Sequence, residues 1–224
     1  MTDPGVKDRL AAVRERIEAA AARVHRNAAD IRLIAVTKVF PATAIRDAYE
    51  LGLRDFGENY VQEFEGKAPQ LADLTDARFH LIGHLQSNKS RRAAELFQVI
   101  QSVDSAKLAR RLGEVGRTID VMIEVRLSEE DSKSGSAPAD VPAIVEACRA
   151  AASLRLLGLM TVPPWSENAE ESRPYFARLR EIAAGQKLGE LSMGMSNDME
   201  VAIEEGATCV RVGTALFGRR KKNA

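Results

Sequence analysis

Apolar runs rich in β-branched residues alternate with helix-like segments along almost the whole chain. The first such run is IRLIAVTK, residues 31–38, and the last is TCVRVGTALFG, residues 208–218. Short apolar runs of this kind predict strands that are buried on both faces. Eight strands are predicted in this way, over residues 31–38, 53–59, 77–83, 98–104, 118–127, 154–162, 190–195 and 208–218.

A helix-like segment precedes the first strand, and a helix or helical turn is predicted after each strand. The predicted helices cover residues 6–27, 41–52, 60–71 (broken by Gly66 and Pro69), 87–97, 105–115, 139–152, 172–184 and 197–206. Regular strand–helix alternation predicts parallel strands joined by crossover helices. A doubly wound sheet is the main competitor, but eight units without a dinucleotide-binding glycine fingerprint favour a closed barrel. We therefore expect an α/β fold, a single (β/α)8 TIM barrel with an extra N-terminal helix.

The length and composition of the chain suit one compact domain. We expect residues 1–224 to form it, with the barrel proper over about 31–218. Lysine plus arginine equal aspartate plus glutamate at 32 each, which gives no electrostatic argument for a nucleic-acid partner. The sequence has no apolar run of about 18 residues that would predict a transmembrane helix, and its charged N-terminus is unlike a signal peptide. Cys148 and Cys209 are far apart and are expected to be reduced thiols. A cytoplasmic protein without membrane contact is expected.

Barrel geometry limits where functional side chains are expected. Active sites of such barrels lie at the carboxyl ends of the strands, so polar residues at those ends are candidates. This criterion selects Lys38, Glu58, Asn59, His84, Asp104, residues 128–135, Thr161, Ser196, Gly213 and Thr214.

Lys38 ends the first apolar run. Strand alternation places it on the same side as Ile34 and Val36, facing the mouth of the barrel. A partly desolvated lysine has a lowered pKa, and its neutral amine can form a Schiff base. The alternative is a lysine that only extends its charged end into solvent from a strand terminus.

The last two strands end in segments suited to an anion. Barrels often bind phosphate with the loops after strands seven and eight, and these carry residues 194–198, GMSND, and the pair Gly213-Thr214. Glycine lets backbone amides approach an anion closely, and Ser196 precedes a helix. Arg211 faces the same way as Gly213. It is expected either to pair with an inward-facing acid or to donate to a bound ligand.

A lysine amine opposite a phosphate cradle is compatible with two kinds of ligand. One is pyridoxal 5′-phosphate (PLP), and the other is the sugar-phosphate substrate of a lysine-dependent aldolase. Residue types and spacing alone leave both open, and they show no catalytic triad and no metal-ligand cluster.

A set of motifs then resembles a known family. They are IAVTK ending at Lys38, FGENYVQE, FHLIGHLQSNK, SVD, DSKSG, GLM, LSMGMSNDME and VRVGTALFG, which occur in this order from residue 31 to residue 218. In this combination the chain resembles the YggS/PROSC family of PLP homeostasis proteins. Val39-Phe40 and His84 depart from residues common in the family, and neither position belongs to the expected phosphate cradle.

The resemblance implies a site for the cofactor PLP. It implies a barrel like the N-terminal domain of alanine racemase, with PLP held as a Schiff base on Lys38. By the same resemblance the phosphate binds to Ser196, Gly213 and Thr214. Arg211 faces the pyridine nitrogen, and Asn59 lies beside the cofactor. Lys133 of DSKSG also lies in a family motif, although a solvated loop lysine is the simpler interpretation.

The resemblance further favours a carrier over an enzyme. An arginine opposite the pyridine nitrogen stays charged and weakens the cofactor as an electron sink. The racemases add a second base from another domain and a partner subunit, and no such domain is recognised here. We therefore expect PLP homeostasis without catalysis, a monomer, and PLP-dependent apoenzymes as partners. A weak PLP-dependent amino-acid racemase or lyase remains the alternative, with Tyr60, His84 or Lys133 as its base.

Overall fold

Eight parallel strands close into a barrel in the order β1 to β8, with β8 pairing back to β1. The structure is a computed structural model, and it describes residues 5–128 and 134–218. The strands are β1 Arg32–Val36, β2 Asp55–Glu58, β3 Arg78–Leu81, β4 Val99–Val103, β5 Ile119–Glu124, β6 Leu154–Met160, β7 Glu190–Ser192 and β8 Cys209–Val212. The predicted barrel is confirmed.

Helices surround the barrel and follow the strands. They are α1 Val6–Arg23, α2 Ala42–Glu50, α3 Val61–Lys67, α4 Ser90–Leu96, α5 Ala106–Gly113, α6 Val141–Ala150, α7 Arg173–Gly185, α8 Met199–Glu204 and α9 Thr214–Phe217. The extra N-terminal helix is thus present, and it ends at Arg23 rather than at residue 27. Within the described part of the chain, none of these helices combines the length and apolarity that a membrane crossing needs.

The eighth strand is shorter than predicted, and this boundary was wrong. The strand ends at Val212, and Thr214–Phe217 is a helical turn. Leu216 and Phe217 are buried in that turn, so their apolar character reflects packing of a helix and not continuation of the sheet. A strand and a short buried helix cannot be distinguished by hydrophobicity alone.

Helix α1 attaches to the part of the barrel that carries the last loops. Its buried stripe, Leu10, Val13 and Ile17, follows helical periodicity, and the helix packs against α8 and α9. Burial of each large aliphatic side chain stabilises the fold by about 1.5–3 kcal/mol. Packing of α1 therefore stabilises the loops after β7 and β8.

The apolar core lies mainly between the barrel and its helices, whereas polar side chains penetrate the barrel interior. The Phe64 ring packs in tilted contact with Phe79 and Phe97 outside the sheet, and its centroid lies 4.6 and 4.8 Å from theirs. His80 and Gln101 are each only 1% exposed. Interiors of such barrels are usually filled by branched apolar residues, so polar side chains there call for hydrogen-bond partners.

Candidate functional site

A pocket of about 350 Å³ opens at the carboxyl ends of the strands. Its lining includes all six predicted cofactor-binding residues: Lys38, Asn59, Ser196, Arg211, Gly213 and Thr214. The volume is typical of small-molecule sites. Three larger grooves, of about 660, 500 and 410 Å³, are more open and contain none of the six. The sequence-predicted side chains therefore converge on one concave site.

Lys38 follows β1 in a turn whose flanking residues are tightly held. The Thr37 hydroxyl donates to Glu58 Oε1 at 2.8 Å, and the Val39 N–H donates to Glu63 Oε1 at 2.5 Å. Val39 has φ of 64°, a left-handed conformation that is strained for a β-branched residue. Such strain of about 1–3 kcal/mol persists only where surrounding contacts enforce it. The turn is thus specified by its neighbours.

Lys67 of α3 joins these contacts into one buried charge cluster. Its Nζ donates to the Thr37 carbonyl at 3.0 Å and lies 2.8 Å from Glu58 Oε1 and 2.6 Å from Glu63 Oε1. Burial raises the pKa of Glu58, and the bonds from Lys67 oppose that rise. The peptide groups on both sides of Lys38 are therefore anchored to a cluster behind the sheet, outside the pocket.

Ser196 lies between the last two loops and is fixed from two sides. Its Oγ accepts the Ala215 N–H at 3.2 Å, which ties the loop after β7 to the loop after β8. Its carbonyl accepts from Arg16 Nη2 at 2.9 Å, and Arg16 also pairs with Glu200. Helix α1 thus supports the segment expected to bind phosphate.

A glycine lets the loop after β7 turn within a confined space. Gly194 has φ of 90°, and a Cβ there would lie 2.5 Å from the Ala202 Cβ. At Gly213 a Cβ would make only ordinary van der Waals contact, 3.4 Å from the Val36 Cβ. Both oxygens of Asp198 are used in holding the loop, since they accept from the Met195 N–H and the Ser172 hydroxyl. The loops after β7 and β8 therefore line this end of the pocket in a fixed conformation.

Arg211 forms part of the pocket wall and is only 4% exposed. Its Nη1 donates to the Ser192 hydroxyl at 2.7 Å and its Nη2 to the Thr161 carbonyl at 2.8 Å. Burial lowers the pKa of this guanidinium below its ordinary value, an effect that neighbouring acids oppose. One expectation was that Arg211 forms an ion pair with an inward-facing acid. This expectation was wrong, because Arg211 has no such ion pair among the described residues. The hydrogen-bond partners are neutral.

Asn59 follows β2 and brings a polar atom to the pocket without a protein partner. Its Oδ1 is buried and has no hydrogen-bond partner among the described residues. A Cβ on Gly83 would lie 2.3 Å from the Asn59 carbonyl, so glycine at position 83 permits the close approach of the two loops. A buried unpaired acceptor beside a pocket is a position where a ligand donor would be stabilising.

The pocket lining contains none of the candidates His84, Asp104 and Tyr60. His84 Nδ1 lies 3.4 Å from Asp104 Oδ2, and neither residue lines the cavity. Tyr60 is 58% exposed and not packed as an aromatic core residue. Lys133 lies outside the described residues. No group of His, Cys, Asp or Glu in the described chain has the arrangement of a metal site.

Sequence reasoning missed the residues that hold the site together. Glu63 and Lys67 are four apart on α3, a spacing that signals a pair on one helix face without showing that they reach β1. Arg16 carries no signal at all, because its target lies 180 residues away. Such supports become visible only when distant segments meet.

The comparisons with known proteins agree with this architecture. The alanine racemase N-terminal domain family matches residues 9–221. The pyridoxal phosphate homeostasis protein of Pseudomonas aeruginosa is 49% identical over 98% of this chain and 97% of its own length. PipY of Synechococcus elongatus, solved with PLP bound, is 42% identical with a TM-score of 0.84, covering 95% of this chain and 100% of PipY. Alanine racemase from Corynebacterium glutamicum, at 18% identity and a TM-score of 0.71, shares the fold over 96% of this chain and 61% of its own.

A closed parallel barrel with a convergent strand-end pocket defines a ligand-binding barrel of the alanine racemase N-terminal type. The chain belongs to that family and, within it, to the pyridoxal phosphate homeostasis proteins. The resemblance found in its motifs is therefore confirmed.

Proposed function

We propose that this chain is a PLP-binding protein of intracellular PLP homeostasis that holds the cofactor as a Schiff base on Lys38. The single observation that carries the proposal is the convergence of the six predicted residues on one 350 Å³ pocket. The relatives named above support it, because PipY has been solved with PLP bound and the Pseudomonas protein is named for PLP homeostasis.

The chemistry of the lining fits the parts of PLP. The amine of Lys38 shares the pocket with Ser196, Gly213 and Thr214, which offer hydroxyl groups and a glycine-containing backbone to a phosphate. The unpaired Oδ1 of Asn59 is a further polar atom for a ligand group to meet. The same lining would suit a sugar phosphate less well, because such a substrate has no ring nitrogen to face a buried arginine.

Each residue has a separate role in the proposal. Lys38 supplies the amine and is oriented by its anchored turn. Ser196, Gly213 and Thr214 bind the phosphate, and Asn59 lies beside the ring. Arg211 places a permanent cation opposite the ring nitrogen, where it disfavours protonation of that atom. When bound, PLP supplies a reactive aldehyde and an electron-accepting ring.

The chain is proposed to act as a carrier without catalytic turnover. A two-base racemase needs a base beside the ring in addition to the lysine. Of the candidate bases, Tyr60 and His84 do not line the pocket, and Lys133 lies outside the described residues. We further propose that residues 1–224 act as a single domain and that the protein is a cytoplasmic monomer delivering PLP to apoenzymes. Light scattering tests the monomer, and loss of PLP to an added apoenzyme tests delivery.

The test is a visible absorbance titration with PLP before and after borohydride reduction. We expect wild type and Lys107→Ala, an exposed-lysine control on α5, to show the same yellow band. Reduction should fix the label on the peptide that contains Lys38, and Lys38→Ala should lose the band. A label on another lysine would sink the anchor assignment, whereas the absence of any band in wild type would sink the PLP proposal itself.

Two further measurements test the phosphate cradle and the lack of turnover. Ser196→Ala should weaken binding of PLP but leave the weaker binding of pyridoxal, which lacks the phosphate, almost unchanged. An equal loss for both ligands would contradict the phosphate role. Incubation of the PLP-loaded protein with amino acids in D₂O should give no exchange of the α-proton, and steady exchange would favour the racemase or lyase alternative.

A further inference from the structure

A continuous line of buried polar side chains crosses the barrel interior beneath the pocket. It begins at Arg211 on β8, passes through Ser192 on β7, Gln101 on β4 and His80 on β3, and ends at Asp55 on β2. The first four are each no more than 4% exposed. Buried polar groups are costly unless they are hydrogen-bonded, so a chain of this length in a barrel core requires a physical reason.

Every link in the line has hydrogen-bond geometry. Arg211 Nη1 lies 2.7 Å from Ser192 Oγ, which lies 2.6 Å from Gln101 Oε1. Gln101 Nε2 lies 3.0 Å from His80 Nδ1, and His80 Nε2 lies 2.7 Å from Asp55 Oδ1. No link lies beyond the usual distance for such bonds.

The donor direction of the chain follows from its two ends. An arginine can only donate, so the Ser192 hydroxyl accepts from Arg211 and gives its own proton to the Gln101 carbonyl oxygen. The amide NH₂ of Gln101 must then donate to His80, which leaves Nδ1 as an acceptor. The remaining ring proton sits on Nε2 and is donated to the Asp55 carboxylate. All four bonds therefore point the same way, from a cation to an anion.

The surroundings agree with a neutral histidine in the middle of this chain. Burial lowers the pKa of His80, against the opposing pull of the Asp55 carboxylate. Asp55 is itself held by Arg32, whose Nε lies 3.7 Å from Oδ1 at the far end of the barrel. Aligned bonds that begin and end on charges reinforce one another in a low-dielectric interior.

We propose that Ser192, Gln101 and His80 are positioning residues that fix the Arg211 guanidinium under the pocket. With Nη1 held by Ser192 and Nη2 held by the Thr161 carbonyl, the guanidinium plane has little freedom to turn. The chain thereby sets the direction from which a cation meets the ring nitrogen of bound PLP. This role rests on the proposed function, although the hydrogen-bond chain exists without it.

The first arm of the test uses the protein without PLP. In ¹⁵N spectra of the imidazole side chains, wild-type His80 should show one bare nitrogen, Nδ1, and one protonated nitrogen, Nε2. Gln101→Glu replaces the amide donor with a carboxylate acceptor of nearly the same shape, so His80 should become protonated on both nitrogens. A wild-type His80 with its proton on Nδ1, or an unchanged His80 in Gln101→Glu while the introduced carboxyl is ionised, would overturn the hydrogen-bond chain.

The second arm compares two buried serine-to-alanine variants in the PLP-loaded protein. Ser192→Ala removes two links of the chain, whereas Ser102→Ala removes a buried hydroxyl that has no hydrogen-bond partner among the described residues. We expect Ser192→Ala to raise the dissociation constant for PLP about tenfold, because one of the two links that it removes is the bond that holds Arg211 Nη1. It should also change the visible circular dichroism of bound PLP, which reports the ring's asymmetric surroundings and not the stability of the fold. Ser102→Ala should match wild type in both.

The outcomes separate this inference from the proposed function. Equal affinities and equal dichroism in the two alanine variants would overturn the positioning role while PLP binding stands. A wild type that binds no PLP would overturn the proposed function and the cofactor-facing half of the inference. The His80 spectra would still decide whether the hydrogen bonds run in one direction from Arg211 to Asp55.

Discussion

Replacement of Lys67 by methionine should destabilise the fold in a manner that depends on pH. Lys67 is the cationic partner of Glu58, whose side chain is fully buried, at 2.8 Å. Methionine keeps most of the buried hydrocarbon and removes only the charge and its donors. Loss of one partner from a buried pair typically costs about 3–5 kcal/mol, because the other charge is left uncompensated.

Protonation of Glu58 limits the loss of stability in the variant, because a neutral carboxyl leaves no uncompensated charge in the interior. Neutralising a carboxyl with an ordinary pKa of 4.5 at pH 7 costs about 3.4 kcal/mol, at 1.36 kcal/mol for each unit. The cost at pH 5 is only about 0.7 kcal/mol by the same arithmetic. Since the pKa of Glu58 is already raised in the wild type, these figures are upper limits on the stability that the Lys67→Met variant loses. We expect a loss of about 2–3 kcal/mol at pH 7 and under about 1 kcal/mol at pH 5.

The sign follows from proton linkage. A carboxyl whose pKa is higher in the folded than in the unfolded chain binds more protons when folded, so stability falls as pH rises through that interval. Removal of Lys67 raises the folded pKa of Glu58 further and widens the interval. The deficit of the variant should therefore grow between pH 5 and pH 8.

Urea unfolding at pH 5, 6, 7 and 8 measures the effect, with the midpoint expected to shift and the slope to stay constant. The double variant Lys67→Met/Glu58→Gln should lose the extra pH dependence, and Lys107→Met serves as the exposed control. A deficit of equal size at pH 5 and pH 8, or one that the double variant does not flatten, would refute the argument. Because Lys67 also holds the Thr37 carbonyl, the single variant should bind PLP more weakly through Lys38.

Three other predictions concern loops and thiols. Arg16→Ala should weaken PLP binding several-fold while Arg23→Ala should not, since both pair with an acid of α8 but only Arg16 reaches the phosphate-side loop; equal affinities in a titration would contradict that support. Gly194→Ala should lower the free energy of unfolding, measured by urea unfolding, by more than about 1 kcal/mol, because φ of 90° and a 2.5 Å clash both oppose a side chain. An unchanged urea midpoint would argue against the observed turn. Burial raises the pKa of Cys148 and Cys209 to about 11, so at pH 8 a thiol reagent should label neither until the chain is unfolded in urea, and rapid labelling of the folded protein would show that the thiols are accessible.

The pocket could be located from the sequence because barrel topology restricts where strand ends meet. Lys38 was assigned to the inward face from alternation with Val36, and both residues line the pocket. Gly213 and Thr214 were assigned to the loop after the last strand, although the strand itself ends earlier than predicted, at Val212. These inferences need only local periodicity and the order of the elements.

The contacts that hold the site rigid could not be read in the same way. Glu58 was selected as a candidate because it lies at a strand end, yet it pairs with Lys67 of α3 and does not line the pocket. Each strand end has two faces, and only packing shows which neighbour a side chain meets. Arg211 was expected to need an acid or a ligand. It instead donates to a neutral hydroxyl and a carbonyl.

The sequence by itself determined the number and order of the strands, the inward direction of Lys38 and the family. These depend on periodicities of two and 3.6 residues and on motifs that lie within short segments. The tertiary structure alone decided that Arg16 supports Ser196, that Lys67 anchors the turn around Lys38, and that a one-way hydrogen-bond chain leads from Arg211 to Asp55. Most of those partners are far apart in the chain, and all lie on different elements, so no local pattern encodes them until the barrel closes and brings their strands and helices together.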